Sequence, residues 1–295
     1  RYDKFYQNVY PGSAANTAGT MTLSAYNNDN QRMNTFNQTD LTTKFTTGGL
    51  EHTLLTGIEL GHQDSDNKRN TGFFGAATSA TVSTANPYAL ATSFRPNGTD
   101  ANNKVSADVA ALYAQDQIAL TQQWKLLAGL RYDYFKANLE DRRTTTPATN
   151  LARTDIGYSP RAGVIWTPTA RSTYYVSYSY AFLPSAEQLG LATTNTALDP
   201  EKAVNYEVGA RWDVLPKLTF STSVFQLERN NVKSVNPAVP GTFVQSGQQR
   251  TQGAELGLQG DVMSNWQIYG GYAWMNARVT QPFNSNTTAT TASLV

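Results

Sequence analysis

Apolar and polar residues alternate along this chain over stretch after stretch of ten to fifteen residues, and the connections between the stretches alternate as well, very short and then long. From Ser172 to Phe182 the even positions are Tyr174, Val176, Tyr178, Tyr180 and Phe182, and the odd ones Thr173, Tyr175, Ser177, Ser179 and Ala181. Tyr206, Val208, Ala210, Trp212 and Val214 are set against Asn205, Glu207, Gly209, Arg211 and Asp213. Leu126, Ala128, Leu130, Tyr132 and Tyr134 are set against Arg131 and Asp133, and Ala254, Leu256 and Leu258 against Glu255, Gly257, Gln259 and Asp261. A period of two is the signature of a strand with one apolar face. Helical periodicity is absent. The weakest segment is Val105 to Thr121, where Gln115 and Asp116 leave neither face cleanly apolar.

The short connections are Thr47 to Gly49, Gln122 to Gln123, Thr167 to Ala170, Leu215 to Pro216 and Met263 to Ser264. The long ones fall at 11–30, 64–104, 140–153, 183–201 and 230–249. Tight turns at one end and long loops at the other are the wiring of an antiparallel up-and-down transmembrane β-barrel, here with eleven strands. Tryptophan sharpens the reading. Trp124, Trp166, Trp212 and Trp266 all lie within a few residues of a short turn on the apolar face, where an indole suits the headgroup level of a membrane. A second aromatic set, Tyr134, Tyr180, Phe182, Tyr272 and Trp274, lies toward the long loops. From Trp124 to Tyr134 is ten residues, ~33 Å along a strand and ~25 Å of height at a tilt of roughly 40°, the thickness of an apolar band.

Composition agrees. Charged residues make up 15% of the chain, where a soluble domain averages roughly 25%. A formal charge of +1 gives no basic excess for nucleic acid. There is no cysteine and no run of 18 apolar residues, so disulfides, thiol chemistry and a membrane-spanning helix are excluded. His52 and His62 share one strand ten residues apart, ~25 Å in height, too far to share a metal ion. No phosphate loop, zinc-protease motif or nucleophile elbow occurs, so the chain reads as a non-enzyme. Arg131, Asp133, Arg161, Glu207, Arg211 and Glu255 read as the wetted wall of a lumen rather than as catalysts. Two other classes share parts of this pattern: a passive porin-like channel and a surface β-sheet adhesin.

Five stretches carry a family resemblance: ALYAQDQIALTQQWKLLAGLRYDYF (Ala111 to Phe135), YSPRAGVIWTPT (Tyr158 to Thr169), YYVSYSYAFLPSAEQ (Tyr174 to Gln188), LDPEKAVNYEVGARWDVL (Leu198 to Leu215) and RTQGAELGLQGDV (Arg250 to Val262). Together they resemble the barrel of TonB-dependent siderophore receptors, and within those the ferric catecholate type. The resemblance implies an all-β, partial barrel, about 11 of 22 strands (roughly the seventh to the seventeenth), filling residues 1–295. The plug domain with its TonB-contacting box is absent from this sequence. The opening at Arg1 inside a strand and the closing Thr/Asn/Ser/Ala tract are what an internal piece would show.

It also implies active uptake of a ferric siderophore across the bacterial outer membrane, energised through TonB. The expected partners are the ferric siderophore, TonB by way of the plug, and outer-membrane lipid. No cofactor is expected on the protein itself, the iron being carried within the siderophore. The longest loop, 64–104, holds Phe73, Phe74, Tyr88, Phe94 and Arg95, aromatic faces and a guanidinium able to meet catecholate oxygens. Tyr88, Phe94 and Arg95 are the first candidates for ligand contact, and Arg142 and Arg143 in the next long loop the second.

Overall fold

The computed structural model describes residues 1–98, 100–143, 149–184, 198–235 and 243–281. Its strands are β1 (Tyr2–Pro11), β2 (Thr20–Thr47), β3 (Leu50–Phe73), β4 (Ser79–Ser83), β5 (Ser93–Arg95), β6 (Asn102–Ala119), β7 (Trp124–Asp141), β8 (Leu151–Thr169), β9 (Ser172–Leu183), β10 (Glu201–Leu215), β11 (Leu218–Val235), β12 (Phe243–Met263) and β13 (Trp266–Gln281). Eleven of them pair antiparallel in chain order, with β4 and β5 as short additions against the upper ends of β2 and β3. The eleven-strand expectation matches this path. No helix is long and apolar enough to cross a membrane.

The tight turns are built as the sequence suggests. Between Thr47 and Leu50 the two glycines have φ of 60° and 82°, the doubly left-handed pair that a two-residue hairpin requires. The long connections differ from their expected bounds. Instead of 11–30, the first is 12–19, because β1 pairs with β2 from Tyr2↔Arg32 to Pro11↔Leu23. The loop expected at 64–104 is reduced to 74–101 and itself contains β4 and β5. Strands β7 and β8 continue to Asp141 and from Leu151, and β11 and β12 to Val235 and from Phe243, past the expected ends at 140–153 and 230–249. The interior of the 183–201 connection and the tract 282–295 lie outside the described residues. The physical reason is common to all. Above the membrane both faces of a strand are wet, so nothing enforces apolar alternation, yet the backbone ladder still forms.

Register partners share a face, so the two faces can be traced from strand to strand. One carries Leu54, Ile58, Leu60, Leu112, Leu126, Leu130, Tyr132, Val164, Val176, Val208, Val224 and Leu256. Its valines stand open, 55% for Val176 and 56% for Val224. The opposite face carries Glu59, Arg131, Asp133, Glu207 and Glu255, and its charged side chains are more crowded, Asp133 being only 17% exposed. A curved sheet spreads side chains on its convex side and gathers them on its concave side, so the polar face is the inner one. The exposed apolar face is a surface suited to hydrocarbon.

Both edges of the apolar band are marked. At the turn end, rings continue across five strands: Trp124–Trp166 at 5.5 Å, Trp166–Tyr174 at 5.3 Å, Tyr174–Trp212 and Trp212–Phe220 at 5.7 Å. The Trp212 Nε1–H donates to the Tyr174 hydroxyl at 3.0 Å. At the other end the outward positions switch to charge, as at His62, Lys136, Arg250 and Arg278. One expected outward residue departs from the pattern. Pairing of β8 with β9 ends at Arg161↔Ser179, and the Phe182 ring stands where a side chain on the inward position Gly157 would be.

An arginine at an outward mid-band position of a full-length receptor is expected to cost about 2–4 kcal/mol. Val176→Arg should show this loss in reversible denaturant unfolding from bilayers, while Ser177→Arg, one residue away and inward, should cost far less. Equal costs would reject the assignment of faces.

Candidate functional site on the inner face

The inner face holds two groups of polar side chains at different heights. The lower one spans β2, β3, β6, β7 and β8. Tyr113 donates its hydroxyl to Asp40 and accepts from Gln38 Nε2 at 2.9 Å. Arg131 bridges Glu59 at 3.1 Å and Asp133 at 2.8 Å, with its guanidinium 5.4 Å from the Tyr113 ring. Arg161 donates to Gln115 at 2.9 Å. Gly57 is what admits the Tyr113 ring, since a Cβ there would stand 2.3 Å from it. A polar hollow of about 250 Å³ results. Every charge in it has a partner, as the wetted-wall reading expects, and on β9 and β10 the Tyr175 hydroxyl likewise donates to Glu207.

The upper group lies above the apolar band on β1, β2, β3 and β5. Tyr6 and Tyr10 meet Tyr26 edge to face at 5.9 and 5.6 Å. Arg69 lies over the Tyr26 ring at 4.1 Å, Arg95 over the Phe73 ring at 4.0 Å, and Lys4 over Tyr6 at 4.9 Å. The register pairs Tyr6↔Asn28, Tyr26↔Thr71 and Thr71↔Arg95 keep all of these on the inner face. Buried Asp100 fixes the approach to β6 by accepting from the backbone N–H groups of Thr71 and Asn97, both at 2.8 Å. The result is a lining of aromatic rings with guanidinium groups over two of them.

The sequence candidates are dispersed by the fold. Arg95 joins the upper group, and it makes no ion pair among the described residues. Phe94, the next residue, faces the other way, beside Gly72 and Ala25. Tyr88 is 72% exposed in the loop between β4 and β5. Arg142 lies on the outer face, bound to Asp66 at 2.8 Å and Glu140 at 3.0 Å. Arg143 closes on the buried carboxylate of Asp141 at 2.6 Å. Tyr6, Tyr10, Tyr26 and Arg69 were not among the candidates. The signal for part of this was present, because Tyr2, Lys4, Tyr6 and Tyr10 occupy alternate positions and so share one face.

The two histidines stay apart, each with its own acid. His52 Nδ1 meets Asp116 at 2.6 Å beneath the stacked Phe45 ring, and His62 Nδ1 meets Asp108 at 2.7 Å. His52 and Asp116 face outward together, which explains why no clean apolar face could be read in β6. Among the described residues no group of three or more His, Cys, Asp or Glu converges as a metal cage.

Comparison with known proteins gives the wall its context. Residues 1–294 match the family described as TonB dependent receptor-like, beta-barrel. The chain is 28% identical over 273 residues to the probable TonB-dependent siderophore receptor PiuA of Acinetobacter baumannii, covering 83% of this chain and 36% of the relative. It is 26% identical over 274 residues to the catecholate siderophore receptor Fiu of Escherichia coli K12, covering 82% and 35%. The crystal structure of PiuA superimposes with a TM-score of 0.76 at 23% identity, over 97% of this chain and 44% of that one. The chain thus spans about a third of the length of the curated relatives it matches.

The Asp141 and Arg143 pair makes a pH prediction. The hydrogen-bonded guanidinium, opposed by burial and aided by the backbone N–H groups of Arg143 and Thr149, holds the Asp141 carboxyl well below the usual carboxylate range. A depressed folded-state pKa means the contribution is present above the unfolded value near 3.9 and is lost as pH falls through the folded one. Amide exchange at Thr149 should therefore stay protected at pH 5 in the full-length receptor. In Asp141→Asn it should be fast at that pH, and equal protection in the two proteins would reject the role.

Proposed function

The chain belongs to the TonB-dependent receptor β-barrel family, bacterial outer-membrane proteins that act as receptors and transporters rather than enzymes, and we propose that its receptor takes up ferric siderophores of the catecholate type. The observation that carries this reading is the upper inner-face group. Arg95 over Phe73 and Arg69 over Tyr26 each place a guanidinium about 4 Å from the centre of a ring. Arg95, which makes no ion pair among the described residues, keeps its N–H donors for anionic oxygens, while Arg69 is shared with the buried Asp100 carboxylate at 3.7 Å and the neighbouring rings of Tyr6 and Tyr10 offer faces for aromatic groups. A ferric catecholate is an anionic complex rimmed by aromatic rings, and both of its surface features find counterparts here. Names of relatives point the same way, since Fiu is a catecholate siderophore receptor.

In this reading the iron is cargo, retained by its chelator, and the protein contributes no ligand to it. The barrel wall supplies the binding surface, with Tyr88 at the loop tip as an outer contact. Energy comes from the inner-membrane proton gradient through TonB acting on a plug. Arg142 and Arg143, each already paired with a carboxylate, hold loop ends together. Residues 1–295 are then one continuous part of the barrel domain.

Binding of a ferric catecholate by the full-length receptor should weaken about tenfold in Arg95→Ala, ~1.4 kcal/mol on the affinity scale, and by less than threefold in Arg142→Ala. Uptake by the native receptor should stop when the proton gradient is collapsed. Losses below threefold in both Arg95→Ala and Arg69→Ala would reject the upper group as the binding surface, and uptake that persists without a gradient would favour a passive channel.

A further inference from the structure

The rim of the upper inner-face group holds a residue pair that ligand uptake does not call on. Asn97 and Gly98, in the link between β5 and β6, form the only Asn–Gly step in the sequence. Asn97 is exposed, and its side-chain oxygen accepts from the backbone N–H of Gly98 at 3.0 Å. The nitrogen of Gly98 thus lies against the side-chain amide of Asn97, and glycine brings no side chain to crowd that nitrogen or restrict its rotation. Those are the requirements for the nitrogen to attack Asn97 Cγ.

The same short turn secures the site beside it. Asn97 and Asp100 bond reciprocally: the Asn97 backbone N–H donates to Asp100 Oδ2 and the Asp100 backbone N–H to the Asn97 carbonyl, both at 2.8 Å. Asp100 is only 6% exposed. It also accepts from the Thr71 backbone N–H at 2.8 Å and the Thr71 hydroxyl at 2.9 Å, and stands 3.7 Å from the Arg69 guanidinium. Thr71 is in turn the register partner of Arg95. One carboxylate therefore ties the top of β3 to the chain entering β6, and the backbone under Arg69 and Arg95 is held through it.

We propose that Asn97 is a site of spontaneous covalent modification, and that its conversion releases the hold of Asp100 on the upper group. The Gly98 nitrogen bonds to Asn97 Cγ, Nδ2 leaves as ammonia with the proton that the Gly98 nitrogen gives up, and the resulting succinimide ring takes up one water. Opening at the side-chain carbonyl gives aspartate, and opening at the main-chain carbonyl gives isoaspartate, in which the chain runs through Cβ and Cγ. Nothing is oxidised or reduced. Either product sets a new carboxylate beside buried Asp100, where like charges repel. Isoaspartate also lengthens the backbone by one carbon and turns the carbonyl that accepted from Asp100 into part of the free carboxylate, so the reciprocal turn opens. Attack requires the Gly98 nitrogen to lose its proton, so external alkalinity sets the pace. The modification is independent of the siderophore reading. Only its effect on the ligand, through a new anion two residues from Arg95, rests on that reading.

The test ages the purified full-length receptor at 37 °C, at pH 8.5 and at pH 5.5, beside its Gly98→Ala and Asn97→Gln variants. Peptide mass spectrometry reads aspartate and isoaspartate at residue 97, hydrogen exchange reads the Thr71 amide, and a ferric catecholate is titrated into each sample. At pH 8.5 the native receptor should gain about tenfold more modified residue 97 than at pH 5.5, and more than at any other asparagine in the same sample. Its Thr71 amide should then exchange about fivefold faster, and the ferric catecholate should bind about threefold more weakly. Gly98→Ala crowds the attacking nitrogen and Asn97→Gln demands a larger ring, so both should age with residue 97 intact and Thr71 protected. Modification of residue 97 no faster than at other asparagines would overturn the site. Modification that leaves exchange at Thr71 unchanged would overturn the release of Asp100. Faster exchange with undiminished binding would support the site and the release, and would count instead against the upper group as the ligand surface.

Discussion

A peptide N–H or C=O in hydrocarbon has no water to bond to, and each one left unmatched costs several kcal/mol, roughly as much as a good side-chain contact provides. That constraint organises everything else here. It sets the spanning parts of β7 to β12 as strands whose backbone groups pair with the strands before and after them in the chain. Once the backbone is committed to a ladder, side chains divide by parity between two solvents, and a polar inner wall behind an apolar outer one follows. The aromatic belt is the same constraint seen at its boundary, where Trp212 can still find a donor's partner in Tyr174.

Charge placement obeys the same division. On the inner face, Arg131 and Arg161 occupy a wet but crowded space, and both are matched by carboxylate or amide oxygens. Glycines at 57 and 157 appear where a neighbouring ring, Tyr113 or Phe182, lies flat over the strand. The outward His52 and Asp116 pair is an exception, one polar group against another under Phe45 near the belt, in which Asp116 Oδ2 meets the imidazole and the buried Oδ1 has no hydrogen-bond partner among the described residues. Outward charge is otherwise gathered beyond the band, from His62 to Arg278, where solvent returns.

The membrane also decided how much could be read from the sequence. Strands β7, β8, β9 and β10 were legible because lipid on one side and water on the other impose a period of two on residue choice. The upper halves of β2 and β3 were not, since Asn27, Asn28, Asp29 and Asn30 need no alternation in water and look like a loop while they pair as strand. That concealment hid Tyr26 and Arg69. Treating adjacent residues as one site was the other source of error. Phe94 and Arg95 point to opposite faces because neighbours in a strand must, and Arg142 and Arg143 reach carboxylates on opposite sides for a related reason.

The tight turns and the long loops also set how such a wall tolerates variation. A residue inserted in the middle of a spanning strand would exchange inner and outer faces over the rest of that strand unless a bulge absorbed it, turning valines toward water and arginines toward lipid, so length there is constrained. A residue inserted between β4 and β5 disturbs no register that the band depends on. Descendants of one such chain are therefore free to lengthen, shorten or replace the rim around the mouth while the staves beneath it stay the same, and new tastes in cargo can arise without a new barrel.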